Sequence, residues 1–230
     1  MAPDTVPAGP PDFTVRAVLW DMDGTLIDSQ PYWDEAFIRR TAALGGEHTR
    51  EMVAELTGAS IPRTRELIAA TGVADSWDDP VTLGVFRGMA KDVEDAVAAN
   101  PPLIQGAREI TSAMAEVGLA QAIVSASPRS IVETVARALG DVFAVLVTGD
   151  DGVGAKPDPL PYATAVERLD VRPDECVVVE DSPTGAASAR GNNIYVVQIG
   201  PRKYFEADPG LVVVPDLLSI TPHMLLWGRR

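Results

Sequence analysis

The chain has 230 residues, and 33 Asp and Glu against 19 Lys and Arg give it a formal net charge of −14. This length predicts one core domain with a smaller insert, and the acidic balance disfavours nucleic acid and anionic membrane surfaces as partners. The single cysteine, Cys176, can form no internal disulfide, and no segment approaches the roughly 20 apolar residues that a membrane span requires.

Residues 1–12 are predicted to be a flexible tail because they are rich in Pro and Ala. They have neither the basic start nor the apolar stretch of a signal peptide. The protein is therefore expected to be soluble and cytoplasmic.

The first apolar run, Val15–Trp20, predicts a buried strand that leads directly into the sequence DMDGT. In an extended segment residues i and i+2 point the same way, so Asp21 and Asp23 project together. Two like charges at this range need a cation between them or a shared proton. Gly24 allows a sharp turn that brings backbone N–H groups towards an anion, and Thr25 adds a hydroxyl. An isolated turn or part of a calcium loop would show the same pattern, but the buried strand before it favours a site.

An all-α insert is predicted next, because about a hundred residues separate the first strand from the second, too many for one crossover helix. Residues 31–100 contain helical patterns and no convincing strand, and prolines lie at both ends. The expected domains are a core, residues 13–30 and 101–230, and the insert, residues 31–100. The helical patterns are Trp33–Leu44, Thr49–Leu56, Arg63–Ala70 and Val81–Ala98.

Five further short apolar runs alternate with helical patterns after the insert. Continuous apolar runs are typical of buried parallel strands, and this alternation predicts an α/β fold with a doubly wound parallel sheet. Ligands of such sheets bind beyond the carboxyl ends of the strands. The runs are Ala122–Ser125, Ala144–Val147, Cys176–Val179, Ile194–Gln198 and Val212–Val214, and the helical patterns are Gly106–Val117, Pro128–Leu139, Pro159–Leu169 and Thr184–Arg190.

Two polar sites follow in chain order. Ser125 ends one apolar run, and Ser127, which precedes Pro128, is expected to cap the next helix. Lys156 lies in the sequence GAKPDP. A lone lysine in a loop is usually solvated, but these prolines restrict the loop and favour a fixed cation.

A pair of carboxylates, Glu180 and Asp181, follows the run Cys176–Val179. Such a pair is either a solvated acidic turn or a set of oxygen ligands for a cation such as Mg²⁺. Its position after a buried strand favours the second interpretation.

Taken in order, the four groups at DMDGT, Ser125, Lys156 and Glu180-Asp181 resemble the four motifs of the haloacid dehalogenase superfamily of aspartate-nucleophile phosphohydrolases. The resemblance extends from Val15 to about Leu218 and is strongest to the β-phosphoglucomutase-like branch, whose type I helical cap is inserted where residues 31–100 lie. It implies a Rossmann-like core and a Mg²⁺-dependent phosphatase that acts on a small phosphorylated metabolite, most often a sugar phosphate. We expect a monomer without nucleic-acid or membrane partners.

The resemblance also implies a role for each motif residue. Asp21 would be the nucleophile that forms a transient aspartyl phosphate, and Asp23 the general acid and base. Because dehalogenases of the superfamily lack this second aspartate, dehalogenation is disfavoured. Ser125 and Lys156 would contact the phosphoryl group. The implied Mg²⁺ ligands are Asp21, the backbone carbonyl of Asp23, Asp181 and, directly or indirectly, Glu180.

The candidate substrate contacts are Gly24, Thr25, Gly58, Ala126 and Arg129. In the resembled sugar-phosphate enzymes a cap loop reading LxGxS faces the substrate, and Leu56–Ser60 has this form. The mutases of the branch carry a lysine where this chain has Thr57, so hydrolysis is favoured over the alternative, a phosphosugar mutase. A lone arginine such as Arg129 is more often a surface residue. A third hypothesis is a non-catalytic phosphometabolite-binding protein, which the presence of every motif residue disfavours.

Overall fold

The computed structural model describes residues 15–57, 59, 61–200 and 210–226. The chain divides into two compact units, Met1–Leu26 with Leu103–Arg230 and, between them in sequence, Ile27–Pro102. The predicted tail, residues 1–12, and the candidate substrate contact Gly58 lie outside the described residues. None of the described helices is both long and apolar enough to cross a membrane.

A six-stranded parallel sheet forms the centre of the first unit and confirms the predicted α/β fold class. The strands are β1 Ala17–Trp20, β2 Ala120–Val124, β3 Val145–Val147, β4 Cys176–Glu180, β5 Tyr195–Ile199 and β6 Leu211–Val214, in the order β3-β2-β1-β4-β5-β6. Both β1 and β4 are buried along their whole length, as parallel strands covered on both faces should be. Trp20 pairs with Ile123 of β2 and with Val179 of β4. The carboxyl ends of these three central strands therefore lie level with one another.

Five described helices belong to the first unit: α5 Ala107–Glu116, α6 Arg129–Ala138, α7 Leu160–Arg168, α8 Pro183–Gly191 and α9 Pro222–Leu225. Helices α7 and α8 supply residues to one hydrophobic core cluster with alternate residues of the strands. The small side chains of Ala186 and Ala189 on α8 are fully buried in this cluster, which also contains Val178 of β4 and Tyr162 of α7. Each fully buried Val or Leu side chain contributes about 1.5–3 kcal/mol, so this packing holds both helices against the strand ends.

The second unit is helical in its described residues, with α1 Gln30–Ala42, α2 Arg50–Ala54, α3 Ile61–Ile68 and α4 Pro80–Ala99. Helix α2 is shorter than the predicted Thr49–Leu56 at both ends. Thr49 is its N-cap and accepts a hydrogen bond from the N–H of Met52, and Glu55 is its C-cap. Helix α3 continues into a π-helical turn, Ala69–Val73, where Gly72 has a φ of 85°.

Helices α1 and α4 pack against each other, and Phe37 of α1 and Met89 of α4 are both fully buried. At the edge of this contact the guanidinium of Arg40 donates two hydrogen bonds to Asp92, each of 2.7 Å. A bidentate pair of this kind fixes the mutual orientation of two helices as well as adding energy.

Candidate active site

The residues predicted to be catalytic or to bind the cation lie at the carboxyl ends of the strands in the first unit. Asp21 and Asp23 follow β1, Ser125 follows β2, and Glu180 is the last residue of β4. Lys156 lies on the connection between β3 and α7. Hydrogen bonds and electrostatic interactions join six of the predicted residues into one cluster: Asp21, Asp23, Ser125, Lys156, Glu180 and Asp181.

Lys156 is the cation of this cluster, in agreement with the fixed position predicted from the prolines of its loop. Its Nζ donates to Asp21 Oδ1 at 2.5 Å and to Glu180 Oε1 at 2.6 Å. The side chains of Asp21 and Lys156 are 11% and 13% exposed, and that of Glu180 is fully buried. Water therefore screens these charges poorly, and the lysine is fixed between two carboxylates.

The loop that carries Lys156 is anchored to α8. The Lys156–Pro157 peptide is cis. Ser188 Oγ donates to the carbonyl oxygen of Asp158 at 2.5 Å, and Asn192 Nδ2 donates to that of Pro159 at 2.7 Å. The backbone after the lysine is therefore held by side chains of a helix that is itself packed on the sheet.

Asp23 receives two hydroxyl donors, from Ser125 Oγ at 3.1 Å and from Ser127 Oγ at 2.8 Å. The prediction that Ser127 caps the following helix is wrong, because Pro128 is the cap residue of α6 and Ser127 turns to Asp23 instead. Residues i and i+2 of an extended segment share a face, so the Ser-Ala-Ser spacing carried a signal for this second serine.

Gly149, which follows β3, supports the loop that contains both serines. Its N–H donates to the carbonyl oxygen of Ser127 at 2.9 Å. A Cβ at Gly149 would lie 2.2 Å from the carbonyl oxygen of Ala126, a backbone atom that cannot swing aside. Sequence reasoning missed this glycine, since its requirement arises from a loop more than twenty residues away.

Gly24 brings Asp181 close to the first strand end. It has a φ of 90°, and a Cβ there would lie 2.1 Å from Asp181 Oδ2. Thr25 is fully buried, and its Oγ1 has no hydrogen-bond partner among the described residues. The contact of these two residues with a substrate stays a prediction.

The electrostatics of the cluster follow from burial and from its excess of negative charge. Burial and the neighbouring carboxylate of Glu180 raise the pKa of Asp21 well above its usual value, against the opposing effect of Lys156. The same two causes raise the pKa of Asp181 to about 6. Burial by itself would lower the pKa of Lys156, but Asp21 and Glu180 raise it above its usual value. Lys156 is therefore held in its protonated form, whereas burial and the repulsion between carboxylates disfavour the ionised forms of Asp21 and Asp181.

The arrangement fits a divalent cation. Asp21, Glu180 and Asp181 each offer one oxygen, and these three atoms lie within 4.8 Å of one another. Asp21 Oδ2 is buried and has no hydrogen-bond partner among the described residues, so one oxygen of Asp21 is available as a ligand. Oxygen-only donors of this kind suit Mg²⁺ or another hard cation.

Two candidate substrate contacts lie beside the cluster. Ala126 is exposed on the loop between the two serines. The guanidinium of Arg129 donates to both oxygens of Asp151, at 3.0 and 2.9 Å, and its backbone N–H donates to Asp150. A substrate would have to compete with this ion pair, and the substrate-binding role of Arg129 stays a prediction.

Known proteins with similar sequences or folds match most of the chain. A family model described as haloacid dehalogenase-like hydrolase matches residues 15–193. Hexitol phosphatase B of Escherichia coli (strain K12) is 30% identical over 208 residues, which cover 89% of this chain and 92% of that protein. Phosphorylated carbohydrates phosphatase of Thermotoga maritima is 30% identical over 185 residues, which cover 78% and 82%. The crystal structure of CbbY from Rhodobacter sphaeroides in complex with phosphate has a TM-score of 0.73 at 24% identity, covering 92% of this chain and 99% of that one.

Proposed function

The chain belongs to the haloacid dehalogenase-like hydrolase family, and from this membership we propose that it is a Mg²⁺-dependent phosphatase that works through an aspartyl phosphate on Asp21. At the coarser level it is a phosphoric monoester hydrolase. The observation that carries the proposal is the contact of Lys156 Nζ with Asp21 Oδ1 beside a second aspartate, Asp23, that is held by two hydroxyls.

We propose a small phosphorylated carbohydrate as the substrate, either a sugar phosphate or a polyol phosphate. Two relatives support this class by their names, hexitol phosphatase and phosphorylated carbohydrates phosphatase. The helical unit Ile27–Pro102 would be the cap domain predicted from the sequence for residues 31–100.

In the first step an oxygen of Asp21 attacks the phosphorus of the ester. The bond between phosphorus and the leaving oxygen breaks, and Asp23 gives its proton to that oxygen, so the alcohol departs neutral. Lys156 and the hydroxyl of Ser125 stabilise the negative charge on the phosphoryl oxygens during the transfer.

In the second step water attacks the phosphorus of the aspartyl phosphate. Asp23, now ionised, takes a proton from that water, and the bond between phosphorus and Asp21 breaks. Inorganic phosphate leaves, and both aspartates return to their starting states. Asp23 thus serves as acid in one step and base in the next.

The groups proposed to hold the cation are Asp21, Asp181 and the backbone carbonyl of Asp23. When bound there, Mg²⁺ supplies positive charge that keeps the carboxylates ionised and offsets charge on the phosphoryl oxygens. Lys156 alone would leave an excess of negative charge beside an anionic substrate.

Asp21→Asn tests the proposal. We expect it to lower phosphate release from an aryl phosphate and from a panel of sugar and polyol phosphates by roughly 10³-fold or more. Mass spectrometry of acid-quenched enzyme should detect one added phosphoryl group in the wild type and none in the variant. Asp174→Asn is the control, because Asp174 is an exposed residue that precedes β4, at the amino ends of the strands. Unchanged phosphate release by Asp21→Asn would reject Asp21 as nucleophile.

The alternative is a phosphosugar mutase of the same fold. Thr57, at the position where the mutases of the resembled branch carry a lysine, favours the hydrolase. Product analysis separates the two functions: an isomerised sugar phosphate formed without free phosphate, and dependent on a bisphosphate primer, would establish the mutase.

A further inference from the structure

Tyr162, in the first turn of α7, has a hydroxyl that reaches into the candidate site although its side chain is completely buried. The hydroxyl donates to Glu180 Oε1 at 2.9 Å. The ring lies under Lys156, with Nζ 4.9 Å from the ring centroid. Packing would require only the ring, so the hydroxyl needs a separate explanation.

Glu180 is saturated with hydrogen-bond donors. Its Oε1 accepts from Lys156 Nζ at 2.6 Å and from Tyr162. Its Oε2 accepts from Ser182 Oγ at 2.9 Å and from the Ser182 N–H at 3.2 Å. An ionised carboxylate has about four lone-pair sites, and these four bonds use them all.

Glu180 is also fixed sterically. A Cβ at Gly185 of α8 would lie only 1.6 Å from Glu180 Oε1, so the carboxylate packs directly against the glycine backbone. The Gly185 N–H in turn donates to Ser182 Oγ at 3.0 Å. The carboxylate therefore has a single position, which Ser182, Gly185 and Tyr162 define together.

A fixed Glu180 in turn fixes Lys156. A lysine side chain carries about 2 kcal/mol of rotamer entropy, which opposes any single placement of its ammonium group. Three contacts oppose that freedom here: Glu180 Oε1, the face of the Tyr162 ring and Asp21 Oδ1. The first two contacts do not involve the reacting carboxylate, so they can hold the ammonium group while the charge on Asp21 changes during the reaction.

We propose that Tyr162 is a positioning residue of the phosphatase reaction, which acts through Glu180 to keep Lys156 Nζ at the nucleophile. This inference rests on the proposed function, because it assigns Lys156 the task of stabilising the phosphoryl group in transfer. It also gives Glu180 the task of holding the lysine.

Tyr162→Phe tests the proposal, because it removes the hydroxyl and keeps the ring. We expect kcat for an aryl phosphate to fall by about 10- to 100-fold, as for the loss of a hydrogen bond to a charged group, with KM changed by less than about twofold. Tyr195→Phe is the matched control, since Tyr195 is the first residue of β5 and lies at the amino ends of the strands, away from the site. The thermal unfolding temperature of each variant separates loss of rate from loss of fold.

A double-mutant cycle with Glu180→Gln tests whether the hydroxyl acts through the carboxylate. Glu180→Gln alone should also lower kcat, and adding Tyr162→Phe should lower it by less than about twofold more. Glu180→Gln by itself tests whether this carboxylate holds Lys156. If the rate of the double variant falls below detection, a crystal structure of Tyr162→Phe tests the proposal instead. We expect it to show Lys156 Nζ displaced from Asp21 Oδ1.

Three results would overturn the proposal: wild-type kcat in Tyr162→Phe, additive losses in the cycle, or an undisplaced Lys156 in the crystal structure of the variant. Each of these rejects only the role of Tyr162 as long as Asp21→Asn is inactive. An active Asp21→Asn would instead reject the proposed function itself.

Discussion

At the scale of single residues, the three clustered carboxylates differ in their hydrogen-bond partners. Glu180 is fully buried and accepts four hydrogen bonds from Lys156, Tyr162 and Ser182. One oxygen of Asp21 accepts a hydrogen bond from Lys156, and the other is buried and has no partner among the described residues. Asp181 is half-buried next to Gly24. We infer that Asp21 and Asp181 supply ligand oxygens, while Glu180 supplies a fixed negative charge.

We expect Asp181→Asn to weaken Mg²⁺ binding by at least about tenfold more than Glu180→Gln does, since each tenfold change in affinity corresponds to about 1.4 kcal/mol. The reason is that Asp181 offers an anionic oxygen to the cation, whereas the lone pairs of Glu180 are occupied. Isothermal titration calorimetry of the resting enzymes measures both affinities without turnover. Equal losses would make Glu180 a direct ligand, as the resemblance allowed.

At the scale of elements, the first turn of α8 shows how a helix N-terminus shapes the site. Ser182 is the N-cap, Pro183 occupies the first helical position, and Ser182 Oγ accepts from the N–H of Gly185. The same Oγ donates to Glu180, so one hydroxyl caps the helix and fixes the carboxylate at the end of β4. The helix start and the strand end form one hydrogen-bonded unit.

The same substitution in two helices should therefore have opposite effects. In α4, Gly84 is exposed and has nothing within 4 Å of an added Cβ, so Gly84→Ala should stabilise the protein by about 0.5–1 kcal/mol. In α8, Gly185→Ala forces the new Cβ into the held carboxylate of Glu180, which should destabilise by about 1–3 kcal/mol and lower kcat by about tenfold or more. Urea unfolding and phosphate release measure the two effects. A stabilised and fully active Gly185→Ala would mean that Glu180 can move freely.

At the scale of the whole molecule, stability depends on how the fold tolerates its acidic cluster. The chain has a net charge of −14, and its site holds carboxylates whose pKa values are raised by burial and by one another. A carboxyl group with a raised pKa binds protons more tightly in the folded state, so folding stability falls as pH rises through this range. A bound cation opposes this loss, because it favours the ionised carboxylates of the folded state.

We expect the metal-free protein to lose stability between about pH 4, near the ordinary pKa of a carboxyl group, and the value of about 6 for Asp181 in the folded state. Asp181→Asn should reduce this loss and make the metal-free protein more stable near neutral pH, although it impairs catalysis. Free energies of unfolding in urea, measured across this pH range with a chelator present, test the expectation. Asp75→Asn removes the same charge at an exposed position and should leave the pH dependence unchanged. Added Mg²⁺ should raise the unfolding temperature of the wild type more than that of Asp181→Asn.

Much of the fold was predictable from the sequence, because it depends on residues that are close together in the chain. All six predicted strands are present, with ends that differ by at most two residues, since a short continuous apolar run can be recognised from neighbouring residues alone. The spacing of Asp21 and Asp23 likewise indicated a pair on one face. The predicted cap of α6 was wrong, because Ser127 donates a hydrogen bond to Asp23. The capping preference of a serine depends only on its neighbours in the chain and takes no account of such a distant partner.

The sequence by itself determined the composition of the site: which acids, which lysine and which serines follow which strands. Only the tertiary structure decided their partners, because parallel strands in the order β3-β2-β1-β4-β5-β6 bring together residues that are far apart in the chain. Lys156 meets Asp21 across 135 positions, and Ser127 meets Asp23 across 104. The hydrogen bond of the Tyr162 hydroxyl and the close approach of Glu180 to Gly185 also depend on this packing, since both contacts join residues of different elements.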